Sequence, residues 1–205
     1  MATSRTGVRA AKAAATRVRM LAAARSLFVE RGYTATTMQA IATEAGVAVQ
    51  TLYFTFATKR AILSELLDVE VAGDTAPVAT LDRPWVAEAL SAPPEELVEQ
   101  LVKGAVRIHA RVAPLLEVVR SAAAVDPEIA ELWRTNIAQR HTVLMVFAGA
   151  LAAKTALRAN PARAADIMLA TLAPECYHLL VHERGWAQED WERWAVDALA
   201  RQLIG

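Results

Sequence analysis

The chain has a single cysteine, Cys176, and only eight glycines and eight prolines in 205 residues. One cysteine excludes an intramolecular disulfide framework and suits a reducing compartment such as the cytoplasm. Alanine and leucine dominate a composition that is 55% hydrophobic. With so few helix-breaking residues, that composition excludes a turn-rich β fold and predicts an all-α protein with a sizeable core. A chain this apolar is not a disordered one. Long uncharged runs are missing too: Ala45–Thr58 and His141–Ala153 reach 14 and 13 residues, short of the ~20 that cross a bilayer, so no membrane partner is expected. The N-terminus lacks the apolar stretch of a secretory signal, and its basic, acid-poor composition fits either a flexible arm or an organellar transit peptide. A phosphate loop, a dinucleotide fingerprint, a nucleophile motif and an HExxH zinc pair are all absent, so neither a cofactor nor a catalytic residue is expected.

Net charge is a further absence, with 22 basic residues against 22 acidic, but the balance is made of two unequal parts. Residues 1–60 hold nine basic side chains and two acidic ones, Glu30 and Glu44, while the remainder holds 13 basic and 20 acidic. A basic end on an acidic body predicts that the end meets a polyanion and the body does not.

Residues 1–13 read as a disordered basic arm. The spacing of Val18, Leu21, Ala22, Phe28 and Val29 predicts a first helix over 14–31, closed by Gly32. Thr36 and Thr37 are placed to cap a second helix over 38–45, Gly46-Val47-Ala48 forms a turn, and a short third helix covers 49–55. Thr58 caps a fourth over 59–72, and the stretch 73–84, with Gly73, Pro77 and Pro84, reads as a boundary. A helical turn over 85–90 precedes helices over 95–112 and 115–124, separated by the breaker Pro114. Asp126-Pro127 and Asn160-Pro161 each set an N-cap before a proline at the first helical position. They open helices to about residues 156 and 184, the second kinked at Pro174, and a last helix covers 188–204. The expected organisation is an arm over 1–13, a DNA-binding unit over 14–58 and a helical body over 59–205.

Thr37–Phe56, TMQAIATEAGVAVQTLYFTF, combines two short helices with a four-residue turn that contains glycine. Such a helix-turn-helix holds its second helix clear of the body, where it can enter a major groove. Ile41, Ala42, Ala45, Val47 and Leu52 hold the pair together and leave the outward positions for base edges and phosphates.

Residues 17–68 resemble the DNA-binding domain of the TetR (tetracycline repressor) family. The resemblance is carried by Ala23, Leu27-Phe28, Arg31-Gly32-Tyr33, Thr36-Thr37, Ile41-Ala42, Ala45-Gly46-Val47, Thr51-Leu52-Tyr53, Phe56, Lys59 and Leu63. It implies a three-helix N-terminal domain followed by a helical regulatory and dimerisation domain. It implies a sequence-specific transcriptional regulator of operator DNA, a repressor released by a small lipophilic or aromatic effector. An effector-independent regulator or an activator would share every motif, and an all-helical enzyme with a vestigial DNA-binding domain is a more distant alternative.

The resemblance also implies contacts. Thr36 and Thr37 sit at the cap of the second helix, where Thr37 can offer its hydroxyl to phosphate, and Ala48 lies in the turn. Gln50 can make a bidentate contact to adenine, and Thr51 offers a hydroxyl and a methyl. Tyr53 and Thr55 are positioned for phosphate, with a core aromatic as the alternative for Tyr53, and Lys59 adds charge at a helix start. The sequence departs from the commoner family pattern. Ala48 and Val49 stand where many members have a small polar residue and a lysine, and Phe54 stands where a polar ring or a histidine is frequent. Affinity then falls more on Arg5, Arg9, Lys12, Arg17 and Arg19, which either reach phosphates or the minor groove or are merely solvated.

For the body, the resemblance implies an effector cavity and a homodimer built from the last two helices. Candidate lining residues are Arg107, His109, Leu116, Val119, Trp133, Ile137, His141 and Tyr177, with core packing as the alternative for the histidines. Candidate interface residues are Met168, His178, Val181, Trp191, Trp194 and Leu199, with intrachain core as the alternative. His178 and His182 are four apart, but no further ligand converges on them to make a metal site.

Overall fold

The computed structural model describes residues 5–74, 76 and 78–205, and among them it contains helices and no strand. The first helix, α1, spans Arg5–Ala35 and is broken at Gly32, whose φ of 78° only glycine adopts without strain. The arm expected to be disordered is therefore helical from Arg5 onward, and residues 1–4 lie outside the described residues. Ala10, Ala11 and Ala13–Ala15 explain the difference, because an alanine-rich run with no proline continues a helix that packing has nucleated further along. Burial begins only at Met20, so the first turns of α1 stand free, with residues 7–15 exposed.

Helix α2 spans Met38–Glu44, capped by Thr37, whose Oγ1 accepts from Ala40 N at 3.1 Å. Gly46, at φ 65°, turns the chain into α3, Val49–Phe56. Thr58 Oγ1 accepts from Ala61 N at 3.1 Å and starts α4, Lys59–Ala72, which ends on left-handed Gly73. A short 3₁₀ turn, Thr80–Asp82, leads to α5, Pro84–Ser91.

Helix α6 runs unbroken from Pro94 to Ala123, so Pro114 does not separate two helices as expected. Proline removes one intrahelical donor and loosens the carbonyls of the preceding turn. Close by, the Arg25 guanidinium on α1 donates to Arg111 O at 3.2 Å and ties this turn of α6 to α1. Val112, Ala113, Leu115 and Leu116 on either side are buried, so packing holds the helix together through the proline.

Asp126 caps α7, Pro127–Ala152, accepting from Glu128 N at 3.0 Å, and Asn160 caps α8, Pro161–Thr171, accepting from Arg163 N at 2.9 Å. At Pro174 the expected kink is a full break: α9 covers Pro174–Tyr177 and continues as a π-helical turn, His178–Glu183. Helix α10, Gln188–Leu203, closes the fold. The run Pro161–Glu183 is long and apolar enough, by length and composition alone, to cross a membrane. It is interrupted before Pro174, and its Ala164, Ala165, Met168, Leu172 and Tyr177 belong to the core of the body.

Two cores result. One joins α1–α4 to the C-terminal half of α6 through Leu27, Phe28, Ile41, Leu52, Phe56, Leu63, Leu66, Leu115 and Val119. The other fills the body with Leu97, Phe147, Leu151, Met168, Tyr177, Trp191 and Leu199. Each fully buried side chain of this size contributes about 1.5–3 kcal/mol. The expected division after residue 58 falls inside the first core, since α4 shares it. Helix α6 runs through both cores, and a polar knot ties it to the head. Arg111 Nε donates to Glu70 O at 2.9 Å, and Arg25 pairs with the Glu70 carboxylate at 2.8 Å.

Candidate nucleic-acid interface

The short helix α3 is docked through Leu52 and Phe56, both buried, and its other sides face outward. Ala48, Gln50 and Thr51 are exposed, Tyr53 is 51% exposed, and Phe54 is 94% exposed. Thr55 is half-buried and gives its hydroxyl to Thr51 O at 2.8 Å, within the helix. Thr37 is exposed beside them while its Oγ1 caps α2. The structure thus brings Thr37, Ala48, Gln50, Thr51 and Tyr53 to the surface of one helix pair, with Thr55 at its margin.

Two of the expected contact residues belong to the scaffold instead. Thr36 is buried, and its hydroxyl lies 2.8 Å from Gly32 O and 3.1 Å from Leu27 O, where it satisfies the broken end of α1. The Lys59 ammonium donates to Tyr33 O at 2.7 Å and Thr36 O at 2.8 Å and lies 4.1 Å from the Tyr33 ring centroid. A cation bound to carbonyls at a helix C-terminus is favoured by the macrodipole, so Lys59 fastens α4 to the end of α1. Burial lowers its pKa, opposed by the charge of Asp126. Burial also pushes the Tyr33 phenol up to about 12, assisted by the charges of Asp126 and Glu128.

The basic residues divide in the same way. Arg17 pairs with Glu65 and stacks 4.4 Å from the Phe56 ring, so it is a packing residue. Arg9, Lys12 and Arg19 are exposed, and the 3.6-residue period sets them on one stripe of the free part of α1. The exposed Phe54 escaped the sequence-derived contact set. The signal that could have found it is its place two residues from both Leu52 and Phe56, opposite the docked side.

In the body, the eight candidate lining residues do not share one cavity. His109 is buried, with Nε2 2.9 Å from Leu172 O, and its ring packs 5.5 Å from Tyr177 and 6.0 Å from Trp191. Burial holds its pKa down to about 4; the bond to Leu172 opposes this and the Arg140 charge assists it. Val119 is in the first core and Ile137 is half-buried. Arg107 is exposed over the Trp85 ring at 5.5 Å, and His141 lies near the surface, 3.4 Å from Asp166. Leu116 and Trp133 line a narrow cleft, too tight for a water molecule, together with Glu117, Pro174, Glu175 and His178.

The candidate interface residues also separate. Met168, Trp191 and Leu199 have no exposed surface and are intrachain core, which corrects their expected place at a subunit contact. Trp194 is 36% exposed, while His178 and Val181 are half-buried. Trp186, also exposed, lies 6.4 Å from Trp194 between ring centroids, and Leu179 is exposed on the preceding turn; neither was anticipated. His178 and His182 lie 5.2 Å apart between ring centroids, and no group of three metal-ligating side chains occurs among the described residues.

An exposed recognition helix on a compact three-helix head, joined by a shared long helix to an all-α body, defines a helix-turn-helix DNA-binding transcriptional regulator. Residues 20–66 match the family described as bacterial regulatory proteins, tetR family, so the head carries the domain of that family. No curated protein matches the sequence. Solved structures share the fold over nearly the whole chain. The SmeT–triclosan complex has a TM-score of 0.70 at 18% identity, covering 93% of this chain and 92% of that one. A TetR family transcriptional regulator from Pseudomonas syringae pv. tomato has a TM-score of 0.65 at 22% identity, covering 91% and 96%. The flavonoid-responsive regulator FrrA has a TM-score of 0.61 at 25% identity, covering 92% and 94%.

Proposed function

We propose that the chain is a homodimeric repressor that binds operator DNA through α3 and leaves it when a small lipophilic or aromatic effector enters the body. The observation that carries this reading is the uncovered outer side of α3, where Gln50, Thr51 and Tyr53 are exposed on a helix otherwise fixed by Leu52 and Phe56. Gln50 addresses a base edge, Tyr53 and Thr37 address phosphates, and the stripe of Arg9, Lys12 and Arg19 adds sequence-independent attraction. Two heads related by a two-fold axis read two half-sites. Trp194, with Trp186 and Leu179, offers the exposed apolar surface for pairing α10 and the preceding turn with a second copy.

The effector reading draws on two relatives of the same fold, one complexed with triclosan and one described as flavonoid-responsive. The cleft beside Leu116 and Trp133 has no room even for a water molecule, far short of the ~300 Å³ of an ordinary ligand pocket. An effector must therefore favour a conformation in which α6, α7 and α9 part, and α6 carries that movement to the knot of Arg25, Glu70 and Arg111. Operator affinity falls by the same factor that operator binding imposes on the effector.

The deciding experiment is Gln50→Ala, assayed on a duplex selected by the wild-type chain. Loss of a bidentate base contact predicts about 5- to 150-fold weaker specific binding with an unchanged Tm. Unaltered affinity would remove α3 from the recognition role.

A further inference from the structure

The most exposed large hydrophobic side chain among the described residues is Phe54, on the outer side of α3. At 3.6 residues per turn it points ~180° away from the mean direction of Leu52 and Phe56, the pair that docks the helix. Gln50 precedes it by one turn, so the two side chains form one ridge, flanked by Thr51 and Tyr53. The stretch from Ala45 to Thr58 contains no charged residue, so this ridge offers no cation to phosphate.

A phenyl ring has no donor or acceptor for the polar edges of bases. The one apolar group that base pairs present in the major groove is the C5-methyl of thymine. An apolar interface with a protein partner would place Phe54 in a continuous apolar patch, whereas its exposed neighbours Gln50, Thr51 and Tyr53 all carry hydrogen-bonding groups. We infer that Phe54 is a specificity-determining residue that reads thymine by packing on its C5-methyl, next to the base pair addressed by Gln50. This rests on the DNA-binding reading above and adds to it a second, apolar element of the half-site code.

The test uses the full-length chain and duplexes that it enriches from a random-sequence pool. These are resynthesised with deoxyuridine in place of thymidine, one position at a time, which deletes only the methyl group. At one thymine per half-site the wild type should lose about four- to tenfold in affinity. Phe54→Ala should lose a similar factor on thymine DNA and be indifferent to uracil at that position, because both changes delete the same contact. Its melting temperature should be unchanged, since the side chain touches little of the fold. Enriched sites without a common thymine, a wild type insensitive to uracil at every position, or a Phe54→Ala variant as uracil-sensitive as the wild type would each overturn the inference while leaving DNA recognition standing. A pool that enriches no sequence at all would overturn recognition and inference together.

Discussion

In the head, buried polar atoms have partners: the Thr36 hydroxyl meets two carbonyls of α1, and the Lys59 ammonium meets two more. In the body, His109 Nδ1, Arg140 Nη1, Glu175 Oε2, Tyr177 Oη and His178 Nδ1 are out of solvent with no protein partner. Among the described residues no such atom occurs before His109. An unpartnered buried polar group costs about 1–3 kcal/mol, so the two regions are built under different constraints. The head is completed by its own chain and can hold α3 rigidly toward a groove. The body keeps polar groups along α6, α7, α9 and the turn after it that no residue of its own chain partners.

The largest expected effect separates the regions by pH. His109 has a folded pKa of about 4 against an ordinary 6.5, so between these values the unfolded chain binds the extra proton. Its contribution to stability is complete above pH 6.5 and is lost as the pH falls toward 4, by on the order of 3 kcal/mol in all. The melting temperature of the wild type minus that of His109→Gln, measured at fixed protein concentration from pH 7 to pH 5, should fall steadily as the pH drops. Parallel curves would mean that acid sensitivity resides elsewhere and would weaken the contrast between head and body.

The contrast also marks what could be read from the sequence. The capping signals at Thr37, Thr58, Asp126-Pro127 and Asn160-Pro161 and the positive-φ glycines at 32, 46 and 73 were legible because each acts within a few residues of itself. Continuity through Pro114 was not, because the flanking Val112, Leu115 and Leu116 are held by a core whose other members lie far away in the chain. Trp191 and Trp194 lie on neighbouring sides of α10, yet one is wholly buried and the other 36% exposed. Amphipathic spacing identifies an apolar side without saying which part meets its own chain and which a second copy. Thr36 and Thr37 pose the same problem at the recognition end, with identical chemistry and opposite orientation. The free helical start of α1 was missed for a different reason: its sequence has charge and no apolar stripe to dock, which reads equally as arm or as unpacked helix.

A smaller effect tests the head directly. Thr36→Val keeps the shape of a fully buried side chain and deletes the hydroxyl between Leu27 O and Gly32 O. Leaving those carbonyls at the broken end of α1 without their donor should cost about 1–3 kcal/mol. For a chain of this length that lowers Tm by about 2–4 °C per kcal/mol. Operator affinity should fall with it only to the extent that α2 and α3 lose their seat on α1. A variant with wild-type Tm would show that the head tolerates unpaired polar atoms as readily as the body does.

The smallest effect is the counterpart in the body, and its sign is what matters. Tyr177 is fully buried against His109 and Trp191, and its hydroxyl has no protein partner. Tyr177→Phe deletes that hydroxyl and nothing else, so desolvation is relieved with no hydrogen bond lost. Such a change is neutral or stabilising by up to about 1 kcal/mol, opposite to Thr36→Val although both remove one buried hydroxyl. If the hydroxyl serves an effector-bound arrangement, the same variant should release operator less readily when ligand is added, while its affinity for operator in the absence of ligand stays at the wild-type value. A Tm loss in Tyr177→Phe equal to that of Thr36→Val would place a partner on the hydroxyl in the resting state and erase the difference between the two regions.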